Sequence, residues 1–300
     1  MLQHFRISSN AIYPFFADDE GRVCFLRMAP AEEKQLSDVE SEIRFISWLQ
    51  ENGFDAMKPY AMKNGKLCDT VVTKWGIWQV SCFECVHGKT LEDAEGSLEL
   101  AFGYGKTLGE MHNLSERYPF SEERRSHLEL LNEIGERLKK HHAPETVLTE
   151  FDAVCKEVSV LESNQTNYGL IHYDFEPDNV LFDEKTGSFG VIDFDDSLRC
   201  WYALDVVRAI DAMDDVVCEE QTREAVQAFI IGYRSVRDFS GSQADSMMLM
   251  RRLVSLQEYA TILNVLSEPP MEKPDRMLQI EEKLNNKLKA IEASVVKPEQ

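Results

Sequence analysis

Between residues 11 and 86 the apolar positions recur mostly at a spacing of two, the period of a strand. Ala11–Phe16 and Arg22–Met28 lie on either side of the turn Asp18-Asp-Glu-Gly21. Met57–Lys63 and Leu67–Thr73 flank Asn64-Gly65, a pair that favours a tight hairpin turn. In Trp78–Val86 the residues Trp78, Val80 and Cys82 alternate with polar neighbours. One segment breaks the pattern. Val39, Ile43, Ile46 and Leu49 share one helical face, with Ser37 as the expected N-cap and Asn52-Gly53 as the stop. After His87-Gly88 the period changes to that of a helix, with stripes at Leu100, Tyr104, Leu108 and Met111, at Leu131, Ile134 and Leu138, and at Phe151, Val154, Val158 and Leu161. Helical spacing returns from Asp205 to Tyr233 and again through Met277, Ile280, Leu284, Leu288 and Ile291, while polar Val296–Gln300 is expected to fray. The pattern predicts an α+β chain in two parts. Residues 1–86 form a small antiparallel sheet with one helix, and residues 87–300 form a larger, mainly helical body.

Short strands and turns interrupt the helices at His172-Tyr-Asp174-Phe-Glu176-Pro-Asp178-Asn179 and Val191-Ile-Asp193-Phe-Asp195-Asp196. Val180–Phe182, a turn at Asp183–Gly187 and Ser188–Ile192 read as a hairpin that returns Asp193 beside Asn179. An Asp and an Asn five residues apart, followed by a strand ending in Asp-Phe, is how kinase-like folds hold a hydroxyl nucleophile and a metal. Asp174 can accept the proton of an attacking hydroxyl. Asn179 and Asp193 can offer hard oxygens to Mg²⁺, which favours one or two carboxylates together with phosphate oxygens and water. Residues 170–205 resemble the aminoglycoside phosphotransferase family of small-molecule kinases, which includes choline kinase-like and homoserine kinase-like members; weaker similarity runs from about Asn10 to about Tyr259. The resemblance carries over at His172, Asp174, Asn179 and Asp193, and at Asp205, which matches a family Asp opening the next helix. His172 and Asp205 are expected to support the loop rather than to react.

The resemblance implies a protein-kinase-like bilobal fold that binds ATP, or GTP as the alternative, with Mg²⁺. Segment Glu84–Gly88 is the expected hinge, with the backbone of Glu84 and Val86 facing the base. A basic residue on the third strand, held by a helix Glu, touches the phosphates in such folds. Here Arg27 takes that place, with Glu42 as its expected partner and Glu40 as the competitor. Some family members resemble this chain in having Arg there. The glycine-rich phosphate loop is missing: Ile7-Ser-Ser-Asn10 stands at its position, leaving Ser9 and Asn10 as candidate phosphate contacts.

On the acceptor side, Glu176 stands two residues after Asp174, where protein kinases place a Lys. Two arrangements fit: Glu176 points outward, or it holds a cationic substrate or a metal-bound water. Asp195, Asp196, Asp211, Asp214 and Asp215 are the other candidate substrate contacts, beside Trp201-Tyr202. Residues 172–220 carry fourteen acids against the bases Lys185, Arg199 and Arg208, which suits a cationic small molecule such as an amine as well as a solvated surface. His112, on an apolar helix face, reads as a core histidine.

A net charge of −21 argues against nucleic acid or an anionic membrane as partner. No apolar run reaches the length of a membrane helix and Met-Leu-Gln-His-Phe-Arg is no signal peptide, so a cytoplasmic protein is expected. Seven cysteines without framework spacing fit reduced thiols, and Cys82-Phe-Glu-Cys85 lacks the second pair a zinc site needs. The sequence sets no oligomeric state. The expected function is transfer of the ATP γ-phosphate to a hydroxyl of a small molecule. Two rivals are a non-catalytic kinase-like binding protein and a metal-dependent hydrolase using the same carboxylates.

Overall fold

The computed structural model describes residues 6–7, 10–18, 21–94, 96–239, 241–267 and 275–296. It resolves into two compact units, Met1–Arg124 with Tyr168–Phe239, and Arg125–Asn167 with Ser240–Gln300. The expected boundary after Val86 falls inside the first of these.

The first unit opens with β1 (Arg6–Ile7), β2 (Ala11–Phe16) and β3 (Val23–Pro30), continues through helix α1 (Leu36–Glu51), and completes its sheet with β4 (Cys68–Thr73) and β5 (Gly76–Glu84). The five strands are antiparallel in the order β1-β2-β3-β5-β4, and Arg27 lies opposite Ser81 in the β3–β5 register. Helix α1 buries Val39, Ile43, Phe45, Ile46 and Leu49, the stripe visible in the sequence. It starts at Leu36 rather than after Ser37, because the Asp38 carboxylate accepts the Gln35 N–H at 3.0 Å and closes the first turn from inside the helix. Met57–Lys63 is not the expected strand. This segment meets β5 at the Pro59–Phe83 bridge, with Tyr60 N–H donating to Cys82 O at 2.8 Å and Glu84 N–H to Lys58 O at 2.8 Å, and goes no further because β4 takes the same edge of β5 from Ser81 onward. The turn at Asn64-Gly65 does form, with Gly65 at φ 80.

Beyond Gly88 come β6 (Lys89–Thr90) and α2 (Leu98–Ser115). In the second unit, α3 (His127–Lys140) and α4 (Glu145–Val160) follow. The chain then re-enters the first unit as β7 (Tyr168–Ile171), β8 (Val180–Asp183), β9 (Ser188–Val191), β10 (Leu198–Trp201), α5 (Tyr202–Asp211) and α6 (Thr222–Arg234). Strands β8 and β9 form the expected hairpin, flanked by β6, while β7 pairs with β10. Helices α2 and α6 pack backbone to backbone: a Cβ on Gly232 would lie 1.9 Å from Phe102 O, and one on Gly105 would lie 2.0 Å from Phe229 O.

The second unit is completed by α7 (Ser242–Asp245), α8 (Met247–Leu266) and α9 (Asp275–Val296). Its helices bury the predicted stripes at Ile134 and Leu138, at Val154 and Val158, and at Leu288 and Ile291. Arg252 donates to Glu150 at 2.6 Å and to Glu157 at 2.8 Å, tying α8 to α4. No helix among the described residues is long and apolar enough to cross a membrane.

Candidate active site

The β7–β8 loop is held from below by one buried carboxylate. Asp205, in the first turn of α5, accepts the backbone N–H of His172 at 2.8 Å and of Tyr173 at 2.7 Å. This fixes Tyr173 in the left-handed region at φ 74, a conformation that bulky residues adopt only when their surroundings impose it. The third partner of Asp205 is His112 of α2, at 3.2 Å, whose other ring nitrogen lies 2.8 Å from the Tyr233 hydroxyl. A neutral ring satisfies both: Nε2–H donates to Asp205 and Nδ1 accepts from Tyr233. Burial accordingly pushes the His112 pKa down, against the raising effect of Asp205. His172, fully buried against Phe194, donates Nε2–H to Ile192 O at 2.9 Å and so joins the two halves of the motif.

Asp174 emerges half-exposed from this loop. The Asn179 Nδ2 group donates to Asp174 Oδ2 at 2.9 Å and to Asp174 O at 3.0 Å, which leaves the side-chain Oδ1 of Asn179 as the atom that can accept or ligate. Ile192 N–H donates to Asn179 O at 3.0 Å, so the β8–β9 hairpin sets Asp193 beside Asn179. Asp193 adopts φ 64, a left-handed turn that Asp tolerates better than most side chains. Burial, with the charges of Asp195, Glu42 and Asp174 and against Arg27, pushes its carboxyl up to about 7. Such a carboxylate is set for a further positive charge. The donor set fits Mg²⁺, which relies on a few protein oxygens beside phosphate. Among the described residues no three His, Cys, Asp or Glu side chains converge into a self-sufficient metal cage.

Arg27 and Glu42 form a bidentate pair, Nη1 to Oε1 at 2.8 Å and Nη2 to Oε2 at 2.6 Å, with Arg27 almost buried and Glu42 fully so. Glu42 takes this place over Glu40 because it lies on the buried face of α1. A cleft of about 670 Å³ runs past this pair. Ile12, Phe25, Met57, Phe83, Leu181 and Ile192 give it apolar walls; Glu84, Cys85 and Val86 form its rim; Asn10, Asn179 and Asp193 stand at its polar end. Glu84 and Cys85 N–H are used within the fold, by Lys58 O and Val23 O, whereas among the described residues no protein acceptor meets the Val86 N–H.

Two of the expected substrate contacts are placed elsewhere. Asp195 is buried under the nucleotide-side cluster, facing Lys34, Asn10 Nδ2 at 2.9 Å and Arg27 at 3.4 Å. Burial works to raise its carboxyl, but Arg27 and Lys34 outweigh it and hold it far below the usual range. Glu176 faces a cation supplied by the chain itself: Arg208 of α5 donates to it at 3.0 Å. Burial and Asp174 still push the Glu176 carboxyl up. Asp196, Asp211, Asp214 and Asp215 are exposed, and Asp214 accepts a hydrogen bond from the Thr222 hydroxyl. Ser9 lies outside the described residues.

Three cations around the site escaped the sequence reading. Arg208 sits three residues after Asp205, and its Nη1 lies 3.9 Å from Asp174 Oδ1; that spacing was the available signal. Lys34 and Arg124 carry none. Arg124, buried, donates to Asp195 O at 2.9 Å, Ser197 O at 2.7 Å and Asp38 O at 2.9 Å, and so braces the turn after Asp193 against α1.

The model of the phosphotransferase enzyme family matches residues 7–242. The chain belongs to this family. Within it the chain is 25% identical over 203 residues to the amicoumacin kinase of Bacillus subtilis (strain 168), a match covering 66% of this chain and 59% of that protein. It is 26% identical over 261 residues to the homoserine kinase of Phenylobacterium zucineum (strain HLK1), covering 82% of this chain and 76% of the relative. Solved structures share the fold. An amicoumacin kinase in complex with AMP-PNP, Ca²⁺ and Ami superposes with a TM-score of 0.83 at 18% identity, over 98% of this chain and 87% of that one. A microcompartment-associated aminopropanol kinase gives 0.74 at 20% identity, over 99% and 91%. The α+β architecture is therefore that of the family's kinase-like phosphotransferases.

Proposed function

We propose that this phosphotransferase-family protein moves the γ-phosphate of Mg-bound ATP to a hydroxyl of a small, amine-bearing molecule. The observation that carries the reading is that Asn179 and Asp193 meet at the polar end of the cleft beside Arg27, which Glu42 holds, with Asp174 joined to Asn179 by a hydrogen bond of 2.9 Å. Residues 1–86 serve the nucleotide and residues 87–300 the reaction and the acceptor. The apolar walls take the base, with the Glu84–Val86 backbone as its hydrogen-bonding edge. Arg27, aligned by Glu42, faces the phosphates, and Asn10 borders them where a glycine loop would otherwise stand. Asn179 Oδ1 and the Asp193 carboxylate would hold Mg²⁺, which when bound would supply positive charge to the phosphate oxygens. Asp174 orients the acceptor hydroxyl and takes its proton as the new O–P bond forms and the bond to the β-phosphate oxygen breaks, ADP leaving with that electron pair.

An amine is favoured by the net charge of −21 and the acids crowded into residues 172–220. Relatives named for amicoumacin, aminopropanol and homoserine agree with it. Asp196, Asp211, Asp214 and Asp215 are the exposed carboxylates proposed to draw such a cation in. The test is ADP release from MgATP across aminopropanol, choline, homoserine, an aminoglycoside and a neutral sugar. Release above the acceptor-free rate with an amino-alcohol, and a product one phosphate heavier, is expected. Silence with every acceptor and no MgATP-induced rise in melting temperature means a non-catalytic binding protein. Phosphate release without an acceptor means a hydrolase.

A further inference from the structure

Glu176 sits two residues after Asp174, beside the path of a negatively charged phosphoryl group. Asp174, Glu176 and Asp178 put three carboxylates into five residues of loop. Phosphoryl transfer is promoted by positive charge and positioning, so this loop needs a cation from elsewhere. Helix α5 provides one. Asp205 ties the first turn of α5 to the backbone of His172 and Tyr173, and Arg208, three residues on, projects from the same helix face. Its Nη1 lies 3.0 Å from Glu176 Oε1 and 3.9 Å from Asp174 Oδ1, and its guanidinium carbon lies 4.5 Å from the Tyr173 ring centroid. The side chain is only 9% exposed, so ion pair and ring together fix it. An arginine keeps its charge at any working pH.

We propose that Arg208 is a positioning residue for phosphoryl transfer, supplying beside Asp174 the positive charge that protein kinases take from a lysine two residues after the catalytic aspartate. The same cation has been moved from the loop to α5, and Glu176 occupies the vacated place as its anchor. This rests on the reading that Asp174 is at the reacting centre. The alternative is that Arg208 only neutralises Glu176 for the sake of folding, and the two roles separate by substitution.

The measurement is kcat and KM, with MgATP and the panel acceptor giving the highest wild-type rate, alongside melting temperature. Arg208→Met should lower kcat about 100-fold, the size of losing one charge-stabilising donor, with the KM for MgATP changed less than about threefold. Arg208→Lys, which keeps charge without the fork, should retain most of kcat. Adding Glu176→Lys to Arg208→Met restores a cation at the kinase position and should bring kcat to within about tenfold of wild type. Adding Glu176→Gln removes the carboxylate without restoring a cation and should recover much less. Equal recovery by Gln and Lys would reduce Arg208 to a counter-ion and overturn the proposal, as would an Arg208→Met enzyme within a few-fold of wild-type kcat. A wild-type protein silent with every acceptor would remove the kinase reading itself and this proposal with it; activity with an Arg208-independent rate removes the proposal alone.

Discussion

At the scale of single residues, the Arg27–Glu42 pair joins stability to the proposed nucleotide site. Both are buried, so removing one partner strands the other's charge in the interior, a loss of about 3–5 kcal/mol, whereas replacing both by apolar groups is often neutral. Arg27→Met should therefore lower the melting temperature sharply, and Arg27→Met with Glu42→Leu should recover most of it while MgATP binding stays weak. Calorimetry and thermal melts on the two variants check this; a double variant that binds MgATP like wild type would remove Arg27 from the phosphate site. The residues of this centre differ in how far the sequence revealed them. Asp174, Asn179 and Asp193 were legible because their chemistry fixes a short spacing along the chain. Asp195 was misassigned because its neighbours Asn10, Arg27 and Lys34 lie more than 160 residues away, and only the folded sheet brings them to it.

At the scale of elements, α2, α5 and the β7–β8 loop meet at one buried node, where His112 and the loop backbone share Asp205. The node gives a pH dependence whose sign is fixed. The folded His112 pKa lies below the ordinary value of 6.5, so as the pH falls through that value the unfolded chain binds a proton that the folded chain resists. The stability from the neutral ring is complete above that range and declines below it, by about 1.4 kcal/mol for each unit of depression once the pH is below both values. Melting temperatures from pH 7.5 to 5.5 should fall more steeply for wild type than for His112→Gln, whose baseline is lower; equal slopes would contradict the account. Periodicity read most elements correctly, including α1 and the β8–β9 hairpin. It failed at Met57–Lys63, where an apolar run before Asn-Gly looks like a strand but β4 occupies the edge of β5 that it would need. The close α2–α6 contact was invisible as well, because Gly105 and Gly232 matter only through the backbone they face.

At the scale of the whole molecule, the acidic charge is what favours the proposed acceptor, a small hydroxylated amine, while the fold does not choose among acceptors. The reaction class, phosphotransfer, was readable from two motifs, since kinase-like chemistry keeps a fixed order and spacing of Asp and Asn. The acceptor was not, because the exposed acids at Asp196, Asp211, Asp214 and Asp215 look alike in sequence whether they meet solvent or a substrate. The central claim is that Asp174 directs phosphoryl transfer while others bind the nucleotide. Its most direct test is the turnover of Asp174→Asn with MgATP and the best acceptor, measured beside its MgATP affinity. The account predicts a fall in kcat of about 100-fold or more, the upper part of what a general base contributes, with nucleotide affinity within a few-fold of wild type. Full turnover in Asp174→Asn would contradict it.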